Sequence, residues 1–139
     1  MPKVQAGEQK LALVSAARRA VLRLDESERP RLVVLGVSAS SVWLGALLGG
    51  LAMLLLSRAY YLVVTDRSVF VLHGPRTAGE PRQVAAVVPL EQAAAMVQKT
   101  KLGTTWNSVW LRLPERRRPV RVKVSFHSRT ELDRFLAKF

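Results

Sequence analysis

The stretch Tyr60-Tyr-Leu-Val-Val-Thr-Asp-Arg-Ser-Val-Phe-Val-Leu-His-Gly74 decides the fold of this chain. Two runs in it, 60–65 and 68–73, are rich in β-branched and aromatic residues, which favour strands. Asp66 and Arg67 join the two runs in a tight turn, where an aspartate side chain bonds readily to nearby backbone. The stretch therefore predicts an antiparallel hairpin.

The chain beyond this hairpin predicts four further strands and a closing helix. One run, 93–96, is compatible with a helix as well as a strand. The strands are expected over 82–89, 92–98, 105–113 and 119–126. In the last two, side chains alternate between the faces of the sheet. The inner face is expected to hold Asn107, Val109, Leu111, Leu113, Val120, Val122, Val124 and Phe126. Ser128 and Glu131 have capping-box spacing, which predicts the start of an amphipathic C-terminal helix.

Residues 1–31 predict an amphipathic helix over 8–24 followed by a linker. Apolar residues from Leu13 to Leu24 recur at the helical period, and Pro30, which lacks a donor N–H, ends the helical region. Two interpretations of this apolar stripe stay open. It docks on the rest of the domain, or it lies in a membrane interface, since basic residues flank it.

Residues 32–57 are the least polar part of the chain and contain no charged residue. A single helix over 32–56 would reach about 37 Å, more than the roughly 30 Å of a bilayer core. The valine-rich run 32–37 is also compatible with a strand, which would leave 42–56 as a shorter apolar helix. The segment is therefore expected to be a membrane segment, with a helix buried in a protein core as the alternative.

The charge on both sides of this segment bears on how it would meet a membrane. Residues 1–31 carry seven basic and four acidic residues, and residues 57–139 carry 15 and six. Because the positive-inside rule expects both flanks on the cytoplasmic side, a monotopic helix or hairpin fits better than a single span. The predicted membrane anchor comprises Val42, Trp43, Leu44, Leu47, Leu48, Leu51, Met53, Leu54, Leu55, Tyr60 and Tyr61. The two tyrosines are explained equally well as the start of a strand.

The hairpin and the order of elements resemble bacterial pleckstrin-homology (PH) domains. The Thr65-Asp66-Arg67 turn after an apolar segment, the Val88-Pro-Leu-Glu91 strand end and Leu102-Gly103 carry the resemblance. It implies an α+β fold, a PH-like antiparallel β-barrel or sandwich capped by a C-terminal helix, over about 58–139. A GRAM-like variant adds 31–38 as a first strand, which makes seven strands. Residues 39–57 then become an insertion in a loop that commonly faces the bilayer in such folds.

The sequence contains few residues that could support catalysis. The chain of 139 residues has no cysteine and two histidines, His73 and His127. Neither lies in a triad-like or metal-binding motif, and there is no phosphate-binding glycine loop. We therefore expect neither an enzyme nor a bound cofactor or metal.

The dominant chemical feature is positive charge. The formal net charge is +12, from 22 lysines and arginines against 10 acidic residues. Such an excess favours a polyanionic partner. The residues expected to bind anionic headgroups are Arg58, Arg76, Arg82, Lys99, Lys101, Arg116, Arg117 and Arg118. Each cluster is also explained as a solvated turn.

Three functions remain open. The favoured one is a non-enzymatic, membrane-associated PH-like adaptor at the cytoplasmic face of the cell membrane, binding anionic phospholipid or a protein partner. A second is a soluble homo-oligomeric scaffold whose apolar helix is buried between subunits. The third is a basic nucleic-acid-binding protein, in which Trp106 and Trp110 stack on bases beside Arg112.

Overall fold

The computed structural model describes the backbone of residues 2–38, 58–114 and 117–138. It describes the side chains of 9–38, 58–75, 77–114 and 117–138. The predicted anchor positions from Val42 to Leu55, the side chain of Arg76, and Arg116 lie outside the described residues.

The described residues form an α+β fold built on one antiparallel sheet that curls into a half-barrel. Its order is β4-β3-β2-β1-β7-β6-β5. The strands are β1 (Leu32–Ser38), β2 (Arg58–Val64), β3 (Ser68–Pro75), β4 (Gln83–Pro89), β5 (Val97–Lys101), β6 (Trp106–Leu111) and β7 (Val120–Ser125). The helices are α1 (Pro2–Leu24), α2 (Leu90–Met96) and α3 (Arg129–Ala137), and single 3₁₀ turns occupy Arg76–Ala78 and Phe126–Ser128.

The strand over 31–38 that the GRAM-like arrangement requires is present as β1. It pairs with β2 along its whole length, from Leu32 opposite Val64 to Ser38 opposite Arg58. A single helix over 32–56 is therefore wrong, since the first seven of those residues are in the sheet. β1 also pairs with β7, and a side chain at Gly36 would clash with Val122. Glycine thus permits the close approach of these two strands.

The two faces of the sheet are covered differently. The inner face carries the larger core, into which α3 inserts Leu132 and Phe135, both fully buried. The outer face of β1, β2 and β3 is covered by α1 through Ala17 and Val21. The apolar stripe of α1 is therefore docked on the domain, and the helix begins at Pro2, earlier than the predicted residue 8.

The stretch 92–98 is helix through Met96, so the strand predicted over 92–98 is wrong for most of its length and the helical alternative for 93–96 is confirmed. Alanines 93–95, with Glu91 and Gln92 before them, are good helix formers. Ala93 and Met96, three residues apart, point the same way and are buried against the core. The strand β5 starts only at Val97.

Two predictions at the C-terminal end are also wrong. Phe126 is 55% exposed, because β7 ends at Ser125 and the following 3₁₀ turn breaks the alternation. The capping box does not form: Ser128 is the N-cap residue of α3 but makes no side-chain capping bond. Glu131 instead contacts Lys10 of α1 at 2.6 Å. The other predicted inner-face residues of 105–126 are buried as expected.

Candidate functional site

The outer face of β5, β6 and β7 is the candidate site, and we call it the basic face. Alternation along the strands turns every second side chain outward there. β6 and β7 contribute aromatic and basic side chains, and β5 adds two lysines. The basic face consists of Lys99, Lys101, Trp106, Ser108, Trp110, Arg121 and Lys123.

Trp110 organises the centre of the basic face. It pairs across the sheet with Lys99 on one side and Arg121 on the other. The Lys99 ammonium lies 5.0 Å from the centroid of the indole, and the Arg121 guanidinium lies 5.1 Å from it. Both distances are within cation–π range. Arg121 also donates from Nε to Ser108 Oγ at 3.1 Å, so its guanidinium is held in place.

The positive charge of the basic face is not neutralised within the described residues. β5, β6 and β7 contain no aspartate or glutamate. Lys101 and Lys123, which share the next row across the sheet with Ser108, form no ion pair in the described part of the chain. Lys99, Lys101 and Arg121 are exposed and Lys123 is partly exposed. The basic face therefore presents two rows of cations. Lys99 and Arg121 lie on either side of the Trp110 indole, and Lys101 and Lys123 lie on either side of Ser108.

The basic face lies level with the point where residues 39–57 leave the sheet. Lys123 pairs with Val37, the residue before the last one of β1. β7 runs antiparallel to β1, and Arg121 precedes Lys123 by two residues in β7. The row of Lys99 and Arg121 therefore lies two residues beyond Val37, on the side toward which β1 runs. We call this end of β1–β4, where Ser38 and Arg58 pair, the insertion end.

Other basic residues gather at or beyond the insertion end. Arg58 begins β2, Arg82 precedes β4, and the tip between β6 and β7 carries Arg112, Arg117 and Arg118. All five are exposed. Among the described residues, Arg82 alone of these has an ion-pair partner, Glu80 at 3.3 Å. The insertion end is thus strongly basic.

The opposite end of these strands, which we call the turn end, has balanced charges. Arg31 donates to both carboxylate oxygens of Asp66, at 2.8 and 3.1 Å. Arg67 lies 2.9 Å from Glu28 and 3.4 Å from Asp25. The hydrogen bonds from Arg31 lower the pKa of Asp66 below its usual value. Asp66 and Arg67 are therefore turn residues that fasten the hairpin to the linker after α1.

The backbone of the turn itself is closed by Thr65. Its hydroxyl oxygen accepts from the N–H of Arg67 at 3.2 Å and from the N–H of Ser68 at 3.0 Å. The turn is therefore where the sequence predicts it, but Thr65 makes the local bonds that were expected of Asp66, whose carboxylate binds Arg31 instead.

The predicted site residues separate into three groups. Lys99 and Lys101 lie on the basic face, while Arg58, Arg82, Arg117 and Arg118 surround the insertion end. Arg76 begins a 3₁₀ turn at the same end. Tyr60 and Tyr61 are 2% and 1% exposed, so the prediction that they are interfacial anchors is wrong, and they act as strand residues. Burial raises the pKa of the Tyr61 hydroxyl, with a smaller contribution from Glu80.

Sequence reasoning missed the role of Arg121 and Lys123. The alternation of 119–126 placed both side chains outward, but it did not show that they share rows with Lys99 and Lys101. Both β5 and β7 pair with β6, which lies between them, and this places residues that are 22 positions apart in the same row. A period of two within each strand gives the face of a side chain and leaves its cross-strand neighbour undetermined.

Among the described residues, no cluster of three or more His, Cys, Asp or Glu side chains is arranged to hold a metal ion. No helix within those residues is long and apolar enough to cross a membrane. Searches against protein-family models, curated proteins and solved structures found no match to this chain.

Proposed function

We propose that this chain is a non-enzymatic, PH-like membrane module that binds the anionic lipid surface on the cytoplasmic face of the cell membrane. The observation that carries the proposal is the position of the basic face. Its unneutralised cations lie level with the insertion end, where a stretch of 19 uncharged residues begins and ends. In the proposal, the cations hold headgroups and residues 39–57 supply apolar contact with the bilayer.

The pairing of Ser38 with Arg58 supports a one-sided approach to the membrane. Paired residues on neighbouring strands are about 5 Å apart, so both flanks of 39–57 are at one place. Both flanks therefore lie on the same side of any bilayer that the segment enters. This geometry supports a monotopic or hairpin arrangement over a single span, and it agrees with two basic flanks.

The strand order and the C-terminal helix support the PH-like part of the proposal. The sheet has seven antiparallel strands and is followed by a helix that packs on its inner face, as the sequence resemblance implies, and β1 also pairs with β7. The insertion between β1 and β2 then occupies the loop that faces the bilayer in that layout.

Vesicle flotation with matched charge variants tests the proposal. Lys101→Gln/Lys123→Gln removes two unpaired cations from the basic face. Arg18→Gln/Arg19→Gln removes two exposed cations from α1 and is the control. Since each basic residue near an anionic surface contributes about 1 kcal/mol, the first pair should weaken binding to phosphatidylglycerol vesicles roughly 30-fold.

The control pair should leave vesicle binding within about threefold of wild type, and phosphatidylcholine vesicles should bind the wild type more weakly. Equal losses in the two double variants would show a response to net charge alone. That result would contradict a role for the basic face.

One observation favours a second candidate function, binding of single-stranded nucleic acid. Trp106 is 49% exposed and shares the basic face with Trp110 and four cations. Exposed indoles beside cations can stack on bases, and each base–aromatic contact contributes about 1–3 kcal/mol. Trp106→Ala should then weaken oligonucleotide binding at least fivefold. Oligonucleotide binding that is weaker than vesicle binding and indifferent to Trp106 would remove this candidate.

A further inference from the structure

A groove of about 560 Å³ opens next to the basic face, between α1 and the sheet. Much of its lining is apolar and comes from three elements, with Leu13 from α1, Leu35 and Val37 from β1, and Ala59 from β2. Its size is within the usual range for small-molecule sites, about 300–1,000 Å³.

Two exposed aromatic side chains also line the groove. Trp106 is 49% exposed and Phe126 is 55% exposed. Large apolar side chains left in contact with water beside a groove commonly mark a binding surface. Tyr61 lines the groove as well, and its buried hydroxyl has no hydrogen-bond partner within the described residues.

The charge around the groove is uneven. Lys10 lines it, but it contacts Glu131 at 2.6 Å and donates to the carbonyl oxygen of His127 at 2.8 Å. Lys123 also lines the groove, belongs to the basic face, and forms no ion pair in the described part of the chain. The uncompensated positive charge is therefore on the side that the groove shares with the basic face.

We propose that this groove binds one acyl chain of an anionic lipid whose headgroup is held by Lys123. This inference rests on the proposed function and adds to it a site for an individual lipid molecule. An acyl chain removes apolar surface of the groove from water and makes no demand for hydrogen bonds. An anionic head complements Lys123, and a lipid ester carbonyl is an acceptor of the kind that the Tyr61 hydroxyl lacks.

The occupant is tested with monomeric lysophosphatidylglycerol, kept below its micelle concentration and titrated into the full chain by calorimetry. Val37→Trp and Ser125→Trp add an indole at two positions that line the groove. Val84→Trp makes a matched change on β4, at a residue that is 43% exposed and not part of the groove lining. All variants keep residues 39–57, so lipid contact with that stretch is common to them.

We expect Val37→Trp and Ser125→Trp to weaken lysophosphatidylglycerol binding at least tenfold, and Val84→Trp to leave it within about twofold. Glycerophosphoglycerol, the phosphodiester that remains when the acyl chain is removed from the lysolipid, should bind at least tenfold more weakly. Thermal melting identifies a variant that fails to fold, and the other groove variant then decides. Equal binding by all folded variants, or by the head alone, would overturn the inference.

Flotation of the wild type on phosphatidylglycerol vesicles separates this inference from the proposed function. If the wild type floats but the groove variants bind the lysolipid as the wild type does, the proposed membrane function stands and the acyl-chain site is contradicted. If the wild type does not float, both the proposed membrane function and the acyl-chain site are contradicted.

Discussion

The insertion end and the turn end of the same four strands use arginine in opposite ways. At the turn end, Arg31 and Arg67 are paired with Asp66, Glu28 and Asp25, so their charges hold the linker after α1 against the hairpin. At the insertion end and on the basic face, most described cations have no carboxylate partner. Paired charges fix the fold locally, whereas unpaired charges remain available to a partner outside the chain. Changes at the two ends should therefore separate stability from binding.

The largest expected effect comes from reversing charge on the basic face. Lys101→Glu/Lys123→Glu changes the charge by four units, so affinity for phosphatidylglycerol vesicles should fall roughly a thousandfold, at about 1 kcal/mol per charge. The free energy of unfolding should change little, since neither lysine forms an ion pair among the described residues. Flotation and urea denaturation of the same preparation measure the two quantities. A large loss of stability would show that the basic face is structural.

The second effect belongs to the turn end. Arg67→Ala leaves the Glu28 carboxylate, which is 8% exposed, without its partner. Removing one member of a buried pair is costly, and since Arg67 is more than half exposed we expect a loss of about 1–2 kcal/mol in unfolding free energy. Vesicle affinity should stay within about twofold. Arg31→Gln is the control. It removes the partner of Asp66, which is exposed, so the loss of unfolding free energy should be smaller than for Arg67→Ala. An equal loss in the two variants would contradict the role of burial.

The third effect sharpens the account of the basic face. Trp110→Leu removes the indole between Lys99 and Arg121, and each cation–π contact is worth about 0.5–1 kcal/mol. We expect a loss of about 1–2 kcal/mol in stability and a several-fold loss of vesicle affinity, because the two cations are no longer held in one row. Trp106 has no cation–π partner in the described part of the chain, so Trp106→Leu should cost less stability. The reverse order in urea denaturation would contradict the arrangement.

The smallest effect is a pH dependence confined to the turn end. Hydrogen bonds lower the folded-state pKa of Asp66 below 3.8, and so its ion pair with Arg31 stabilises the fold above that pH. This contribution is lost as the pH falls through the lowered pKa. The difference in Tm between wild type and Arg31→Gln should be present at pH 5 and disappear toward pH 2. A difference that grows on acidification would contradict the assignment.

Sequence reasoning predicted the features that depend on local chemistry. The hairpin turn lies at the predicted residues, where Thr65 makes the local backbone bonds, and the inner face of β6 and β7 follows from strict alternation. It failed where tertiary contacts decide. Glu131 pairs with Lys10 of α1 instead of capping its own helix. The alanine run 93–95 was compatible with helix or strand, and it forms the helix that places Met96 in the core.

The candidate site shows the same division. The outward direction of Arg121 and the two tryptophans was predictable from a period of two. Their neighbours depend on the register of three strands, which no local pattern specifies. Tyr60 and Tyr61, near the start of β2, are of a residue type that is common at membrane interfaces, yet both are buried. Tyr61 packs under α1, and Tyr60 packs in the inner core against His73.

The most direct test asks which end of the sheet meets the lipid. The chain has no cysteine, so single labels can be placed at will. Thr77→Cys lies in the loop after β3 at the insertion end, and Glu26→Cys lies beside the turn end; both residues are exposed. Each variant is labelled with an environment-sensitive fluorophore and mixed with phosphatidylglycerol vesicles that carry brominated acyl chains. We predict strong quenching at residue 77 and little at residue 26; equal quenching, or stronger quenching at residue 26, would contradict the account.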